Sequence, residues 1–149
     1  FKMVSHATMG MTAHLAYAAL DDDKTPATHS RKIISQIVRK EIGFDGLLMT
    51  DDLGMQALGG TLASRASRAI DVGCDAILHC SGFIKEPDAI LAEMYEVAGA
   101  SPVLAGEALR RAKAAENAVQ KPAEFDTTEG RAKLQKLLSR AAGSSSAVA

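Results

Sequence analysis

The fold of this chain is indicated most clearly by residues 43–55, which read GFDGLLMTDDLGM. A short apolar run, Leu47–Met49, leads directly into Thr50, Asp51 and Asp52. Short apolar runs bounded by turn residues are typical of buried strands. In parallel α/β folds, functional residues gather at the C-terminal ends of the strands, where the loops open. We therefore predict a buried strand that ends in two carboxylates at a candidate functional site.

The sequence on both sides of this strand alternates apolar runs with amphipathic helices, which is the pattern of a parallel α/β fold. In chain order the predicted elements are a strand at 9–15, a helix capped by Ser30 and ended by Gly43, the strand just described, a helix at 61–70 stopped by Gly73, a strand at 75–80 and a helix that begins at Pro87. Three consecutive βα units leave two open sheet edges. They fit either part of an eightfold barrel, which needs about 250 residues, or a small doubly wound domain.

Beyond Val103 the chain becomes rich in alanine and charged residues, and helices are predicted over residues 104–119 and 131–138. We expect three segments: an α/β portion at 1–120, a helical extension at 121–142 and a disordered tail at 143–149.

The composition excludes several classes of function. The 149 residues are 47% hydrophobic and 23% charged with a net charge of -1, so the chain has no basic surface for nucleic acid or an anionic membrane. No apolar run approaches the roughly 20 residues that cross a bilayer, and the start does not resemble a signal peptide. Two cysteines, Cys74 and Cys80, are too few for a disulfide framework. We expect a cytoplasmic protein with no nucleic-acid or membrane partner.

Polar residues lie near the C-terminal ends of all three predicted strands: His14, the pair Asp51 and Asp52, and His79. Successive residues of a strand point to opposite faces, so at most one of the two aspartates can act on a given ligand. The carboxylates of a retaining glycosidase must also face one sugar from about 5–5.5 Å apart, which two neighbours in a strand cannot do. Each candidate also has an ordinary structural interpretation, as a capping or solvated loop acid or as a histidine at the edge of the core.

Metal and cofactor sites are not indicated by the sequence. No His, Cys and Asp residues occur at ligand spacing, and Cys74 and Cys80 are too far apart for a C-x-x-C motif. No G-x-G-x-x-G sequence follows a predicted strand. We therefore expect neither a metal nor a cofactor.

Residues 43–55 resemble the nucleophile strand of bacterial β-N-acetylhexosaminidases of glycoside hydrolase family 3. Residues 11–17, 26–28 and Ser30 are similar to that family's sixth strand and the loop after it, and residues 73–75 also fit. The resemblance implies a (β/α)₈ TIM barrel. This chain would then supply the last three βα units of the barrel, within residues 1–120, followed by C-terminal helices.

The resemblance also implies roles for single residues. Asp51 occupies the nucleophile position and would form a covalent glycosyl-enzyme that water resolves with retention. Asp52 would turn away from the sugar and bond the surrounding backbone. His14 would orient Asp51 or contact the sugar, and Leu53 and Met55 would contact the 2-acetamido group.

The family's acid/base, a histidine held by an aspartate on an upstream loop, has no match in this chain, nor has its sugar-binding Lys-His pair. The resemblance thus implies that a missing N-terminal barrel segment, or another chain, completes the site, and that this fragment alone is inactive. The implied activity is removal of β-linked N-acetylglucosamine from muropeptides during cell-wall recycling. The alternatives are a β-glucosidase of the same family, whose members usually carry a large second domain, and a non-catalytic α/β binding domain.

Overall fold

The computed structural model describes residues 2–80, 82, 86–119 and 126–144. It contains a sheet of three parallel strands in the order β1–β2–β3. The strands are β1 at Met9–Met11, β2 at Leu47–Asp52 and β3 at Ala76–Leu78. A π-helix at Ile33–Glu41 connects β1 to β2, and helix α1 at Leu62–Val72 connects β2 to β3. The predicted parallel α/β arrangement is therefore confirmed.

Helices continue the chain after β3. They are α2 at Pro87–Gly99, α3 at Gly106–Asn117 and α4 at Thr127–Ser144. Pro87 is the first residue of α2, as predicted, because that position needs no N–H donor. The chain divides into two compact units, residues 1–119 and 120–149. In the second unit, α4 begins earlier and ends later than the predicted 131–138. Residues 143 and 144 are helical and 145–149 lie outside the described residues, so the predicted division into three segments stays a prediction.

The first strand is shorter than predicted. It ends at Met11 rather than Leu15, although the N–H of Thr12 still donates to the carbonyl of Met49. The residues after it bond instead to the segment around residues 26–28: the N–H of Ala27 donates to Leu15 O at 2.8 Å. Beyond Thr12 the backbone pairs with this segment instead of continuing its ladder with β2. His14 consequently lies in a loop beyond the strand.

The helix between β1 and β2 begins and ends as predicted but winds differently. The hydroxyl of Ser30 accepts from the N–H of Ile33 at 3.0 Å, and Gly43 adopts a positive φ of 75° just after the helix. Between them the turns are π-helical, with the N–H of Ile42 donating to Ile37 O. In this winding Arg39 donates to the carbonyls of Phe44 and Gly46 in the turn that enters β2. These bonds stabilise a geometry that is rare on its own.

The core consists of two clusters. The first lies between the sheet and its helices and comprises Ile34, Phe44, Leu48, Ala69 and Cys74. The second lies beneath the loop that follows β2 and comprises Leu53, Leu58, Ala66 and Val97. Helix α1 contributes to both and has the predicted ends: Thr61 Oγ1 accepts from Ser64 N–H, and Gly73 adopts a left-handed φ of 117°. The first cluster holds β2 near its start through Leu48, and the second holds the residue after its end, Leu53.

Candidate active site

The C-terminal end of β2 places its two aspartates differently. Leu48 packs in the helix-facing cluster, and Thr50 is fully buried with its hydroxyl accepting from Leu78 N–H at 2.9 Å. The pairing of β2 with β3 shifts register between Met49 and Asp52, so alternation along the strand does not assign the faces of the two aspartates. Their hydrogen bonds distinguish them instead.

Asp51 is half-buried, and its Oδ1 accepts one hydrogen bond, from the N–H of Asp52 at 2.8 Å. Among the described residues it forms no ion pair. No lysine or arginine in that part of the chain neutralises this carboxylate, so its lone pairs remain available to an electrophile or a developing positive charge.

Asp52 is bound to the protein itself. Its Oδ1 accepts from the N–H of Gly54 at 2.8 Å and from the N–H of Cys80 at 2.9 Å. One carboxylate thus joins the turn after β2 to the segment after β3. This is the backbone-bonding role that the resemblance implied for Asp52.

His14 is buried, with 8% of its surface exposed, and both ring nitrogens have partners. Nε2 donates to the carbonyl of Asp52 at 2.8 Å, which leaves Nδ1 to accept from the hydroxyl of Thr28, also at 2.8 Å. Thr28 is itself fully buried and bonded to the hydroxyl of Thr12. His14 therefore braces the backbone at Asp52, and its predicted contact with a sugar stays a prediction.

The two apolar candidates are separated by the structure. Leu53 is fully buried in the cluster beneath the loop, where it cannot contact a ligand from solution. The expectation that it contacts the acetamido group is corrected to a core role, because the turn at Gly54 directs this side chain inward under α2. Met55 is 41% exposed and remains available for the predicted contact.

Sequence analysis missed one residue at this end of the sheet. Glu93 of α2 accepts from His79 Nε2 at 2.8 Å, while His79 Nδ1 lies 3.5 Å from Asp52 Oδ1. Histidine and glutamate are 14 positions apart and belong to different elements, so no local spacing reveals the pair. The available signal was the position of His79 directly after a strand.

Other ionisable groups near the sheet are structural. Burial raises the pKa of the Cys74 thiol to about 12, so this thiol stays protonated and unreactive near neutral pH. Burial lowers the pKa of His29, whose Nε2 donates to Arg65 O at 3.1 Å. In the described part of the chain, no group of three His, Cys, Asp or Glu side chains is arranged to hold a metal ion. None of the helices found there is long and apolar enough to cross a bilayer.

Comparison with known proteins gives a consistent family. Residues 2–112 match the family model described as the glycosyl hydrolase family 3 N terminal domain. A β-hexosaminidase of Alkalilimnicola ehrlichii is 39% identical over 95 residues, which are 62% of this chain and 26% of that protein. A β-hexosaminidase of Shewanella frigidimarina is 41% identical over 73 residues, 48% of this chain and 21% of that protein. The chain therefore spans only about a quarter of the length of these curated relatives.

Solved structures agree with the fold. The crystal structure of a β-N-acetylhexosaminidase from Beutenbergia cavernae is 31% identical with a TM-score of 0.52, and the match covers 75% of this chain and 33% of that one. A family 3 β-N-acetylglucosaminidase from a Paenibacillus strain has a TM-score of 0.56 at 23% identity, covering 80% of this chain and 24% of that one. The second likeness supports the fold alone.

Proposed function

This chain belongs to glycosyl hydrolase family 3, and we propose that the complete protein is a retaining β-N-acetylhexosaminidase whose nucleophile is Asp51. The observation that carries the proposal is the position of this carboxylate. It lies at the C-terminal end of β2, accepts one backbone hydrogen bond and has no ion pair among the described residues. The names of the relatives, β-hexosaminidases, support an amino sugar as substrate.

In the proposed reaction, one oxygen of Asp51 attacks the anomeric carbon while the leaving-group oxygen takes a proton. A covalent glycosyl-enzyme forms, and water then attacks the same carbon to give a product of retained configuration. The Asp52 N–H, which donates to Asp51 Oδ1 at 2.8 Å, holds one oxygen and leaves the other to react. Fixing the carboxylate in this way lowers the entropy lost on reaching the transition state.

The proton for the leaving group has to come from elsewhere. His14 and His79 are the two histidines next to this end of β2, and both are buried and bonded within the protein. We therefore assign the general acid, worth about 10²–10⁴-fold in rate, to a part of the complete protein outside this chain. The fragment by itself is expected to be inactive.

We further propose that the chain supplies the last three βα units of an eightfold barrel. Strand β1 is an edge of the sheet, and beside it lies an apolar groove of about 420 Å³. Met9 and Met11 are each about half exposed in it. Leu91 and Met94 of α2 are also 47% and 54% exposed. Apolar surface beside β1 and on α2 supports packing by further βα units, which closure of a barrel requires.

The finer proposal concerns the substrate and the place of the reaction. By resemblance to bacterial members of the family, the complete protein would remove β-linked N-acetylglucosamine from muropeptides in the cytoplasm, with Met55 against the acetamido group. A substrate panel tests this. The complete protein should cleave a disaccharide of N-acetylglucosamine and anhydro-N-acetylmuramic acid, with or without its peptide, and leave the matching β-glucoside intact. Equal rates on the β-glucoside would favour a β-glucosidase.

The decisive experiment labels the nucleophile. The complete protein is incubated with a fluorinated N-acetylglucosaminide that forms the glycosyl-enzyme quickly and releases it slowly, and the labelled peptide is mapped by mass spectrometry. We expect a single sugar on Asp51. A sugar on any other residue, or no label in a preparation that turns over substrate, would contradict the assignment.

A further inference from the structure

Three ionisable side chains run from the candidate site into the helical layer. They are Asp52 at the end of β2, His79 just beyond β3 and Glu93 in α2. The imidazole lies between the two carboxylates, 2.8 Å from Glu93 and 3.5 Å from Asp52. Its side chain is only 6% exposed and its Nε2 donates to Glu93 of α2. A ring so placed cannot deliver a proton to a bound ligand, so any contribution to the reaction has to be indirect.

The link to the reacting group runs through one peptide unit. The N–H of Asp52 donates to the Asp51 carboxylate, and the side chain of Asp52 accepts from the N–H groups of Gly54 and Cys80. The orientation of the Asp52 peptide therefore sets where Asp51 Oδ1 is held. A side chain that fixes the Asp52 carboxylate also fixes this peptide. A protonated His79 is placed to do so, because Nε2 donates to Glu93 and the second N–H, on Nδ1, then faces Asp52 Oδ1 at 3.5 Å.

We propose that His79 and Glu93 are positioning residues for Asp51, acting through the Asp52 carboxylate and peptide. The proposal rests on the proposed function, since it assigns an effect on the reactivity of the nucleophile. Under this proposal α2, a helix outside the sheet, affects the reaction without contacting the substrate. Because a displacement of about 1 Å at a reacting atom can cost roughly 10²-fold in rate, loosening this support should lower turnover without removing any group that contacts substrate.

Helix α2 offers a matched control. Glu96 lies one turn beyond Glu93, and its Oε1 accepts from the N–H of Ala63 at the start of α1 at 2.9 Å. Both glutamates join α2 to a neighbouring segment by a carboxylate hydrogen bond. Only Glu93 contacts the histidine next to Asp52. Replacing either glutamate with alanine should weaken the attachment of α2 to a similar extent. Only the change at Glu93 should alter the position of the Asp51 carboxylate.

The experiment compares Glu93→Ala, Glu93→Gln and Glu96→Ala in the complete protein, with an aryl N-acetyl-β-glucosaminide at a temperature well below each melting point. We expect Glu93→Ala to lower kcat about tenfold or more with KM within about twofold. The rate at which the fluorinated glycoside labels Asp51 should fall by the same factor. Glu93→Gln keeps an oxygen that accepts from His79 and should recover most of the loss. Glu96→Ala should lie within about twofold of the wild type.

Three results would overturn the inference: equal kcat for Glu93→Ala and Glu96→Ala, a change confined to KM, or no recovery in Glu93→Gln. Asp51→Gly is assayed in the same series to separate this inference from the proposed function. If Asp51→Gly is inactive and Glu93→Ala is normal, only the positioning role is lost. If Asp51→Gly turns over substrate like the wild type, the nucleophile lies elsewhere and both proposals fail.

Discussion

Each end of the three-stranded sheet carries a pair of aspartates, and the partners of their carboxylates differ between the two ends. At the N-terminal end, Asp75 is buried and meets Arg39 at 2.5 Å and Arg111 of α3 at 3.1 Å. Its Oδ2 also accepts from the N–H of Leu48 at 2.9 Å. Asp45 is exposed and meets Arg110 and Arg111. Both of these aspartates have arginine partners.

At the C-terminal end no arginine or lysine of the described residues forms an ion pair with the aspartates, and Arg65 donates to the carbonyls of Leu53 and Met55 instead. Asp52 is held by backbone N–H groups and lies near His79, and Asp51 accepts a single backbone hydrogen bond. A buried carboxylate with a cation partner holds elements together, whereas an anion left without one retains its charge for a ligand. The difference separates the end of the sheet that stabilises from the end that we propose reacts, as in barrel enzymes generally.

The largest expected effect comes from removing the charge of Asp51. In the complete protein, Asp51→Asn keeps the size of the side chain but not its nucleophilicity. A loss of about 4 kcal/mol of transition-state stabilisation corresponds to roughly 10³-fold in kcat, and KM should change little because the charge acts mainly on the transition state. Steady-state kinetics measures both constants, and the melting temperature should stay near that of the wild type.

A chemical rescue distinguishes the nucleophile from its neighbour. Asp51→Gly opens space beneath the anomeric carbon, so added azide should restore turnover and give a glycosyl azide of inverted configuration. Asp52→Gly should gain nothing from azide, since the Asp52 carboxylate is bonded to the backbone N–H groups of Gly54 and Cys80. Rescue of the Asp52 variant alone would reverse the two assignments.

At the N-terminal end of the sheet, we expect a substitution to lower stability and to leave kcat nearly unchanged. Asp75→Asn leaves two arginines facing an uncharged amide in a buried site, and breaking such a pair costs about 3–5 kcal/mol of stability. Chemical denaturation of the complete protein should detect this loss. The kcat of the remaining folded protein, measured well below its melting point, should stay within about twofold of the wild type. A large fall in kcat would show that the division between the two ends is wrong.

A smaller effect, on stability, is expected from removing the hydroxyl that bonds to His14 beside the C-terminal end of β2. Thr28→Val keeps the shape of a fully buried side chain but removes the hydroxyl that donates to His14 Nδ1. Leaving that nitrogen unsatisfied should lower the free energy of unfolding by about 1–3 kcal/mol. The control is Thr128→Val at an exposed position of α4, where a change within about 0.5 kcal/mol is expected. Equal melting curves for the two variants would contradict the role given to His14.

Sequence reasoning located the strand that ends in Asp51 and Asp52 because this feature depends on local pattern. An apolar run followed by Thr50, Asp51 and Asp52 is sufficient to predict a buried strand that ends in carboxylates, and β2 has that form. The parallel order and most helix ends, such as Ser30 and Gly73, follow from equally local signals. The family resemblance extended this to an activity.

The features that sequence reasoning did not predict depend on contacts between elements that are distant in the chain. Apolar spacing gives one helical face and does not distinguish the π-helical turns at Ile33–Glu41, which form together with bonds from Arg39 to residues beyond the helix. Leu53 was expected at a ligand because it follows the carboxylates, yet the next turn buries it. The pairing of His79 with Glu93 joins a strand end to a helix, and no spacing rule predicts such a contact.

The smallest expected effect is at Asp45, because its ion pairs are exposed to water. Hydrogen bonds from Arg110 and Arg111 hold the pKa of this carboxyl below its ordinary value near 3.8. A carboxyl with a lowered pKa in the folded state adds stability above its unfolded pKa, and the contribution is lost as the pH falls through the folded pKa. Asp45→Asn should therefore lower the melting temperature by no more than about 2 °C at pH 7. The two melting curves should converge below pH 4, and adding salt at pH 7 should narrow the gap. A gap that persists in acid would mean that the arginines stabilise this end by packing rather than by charge.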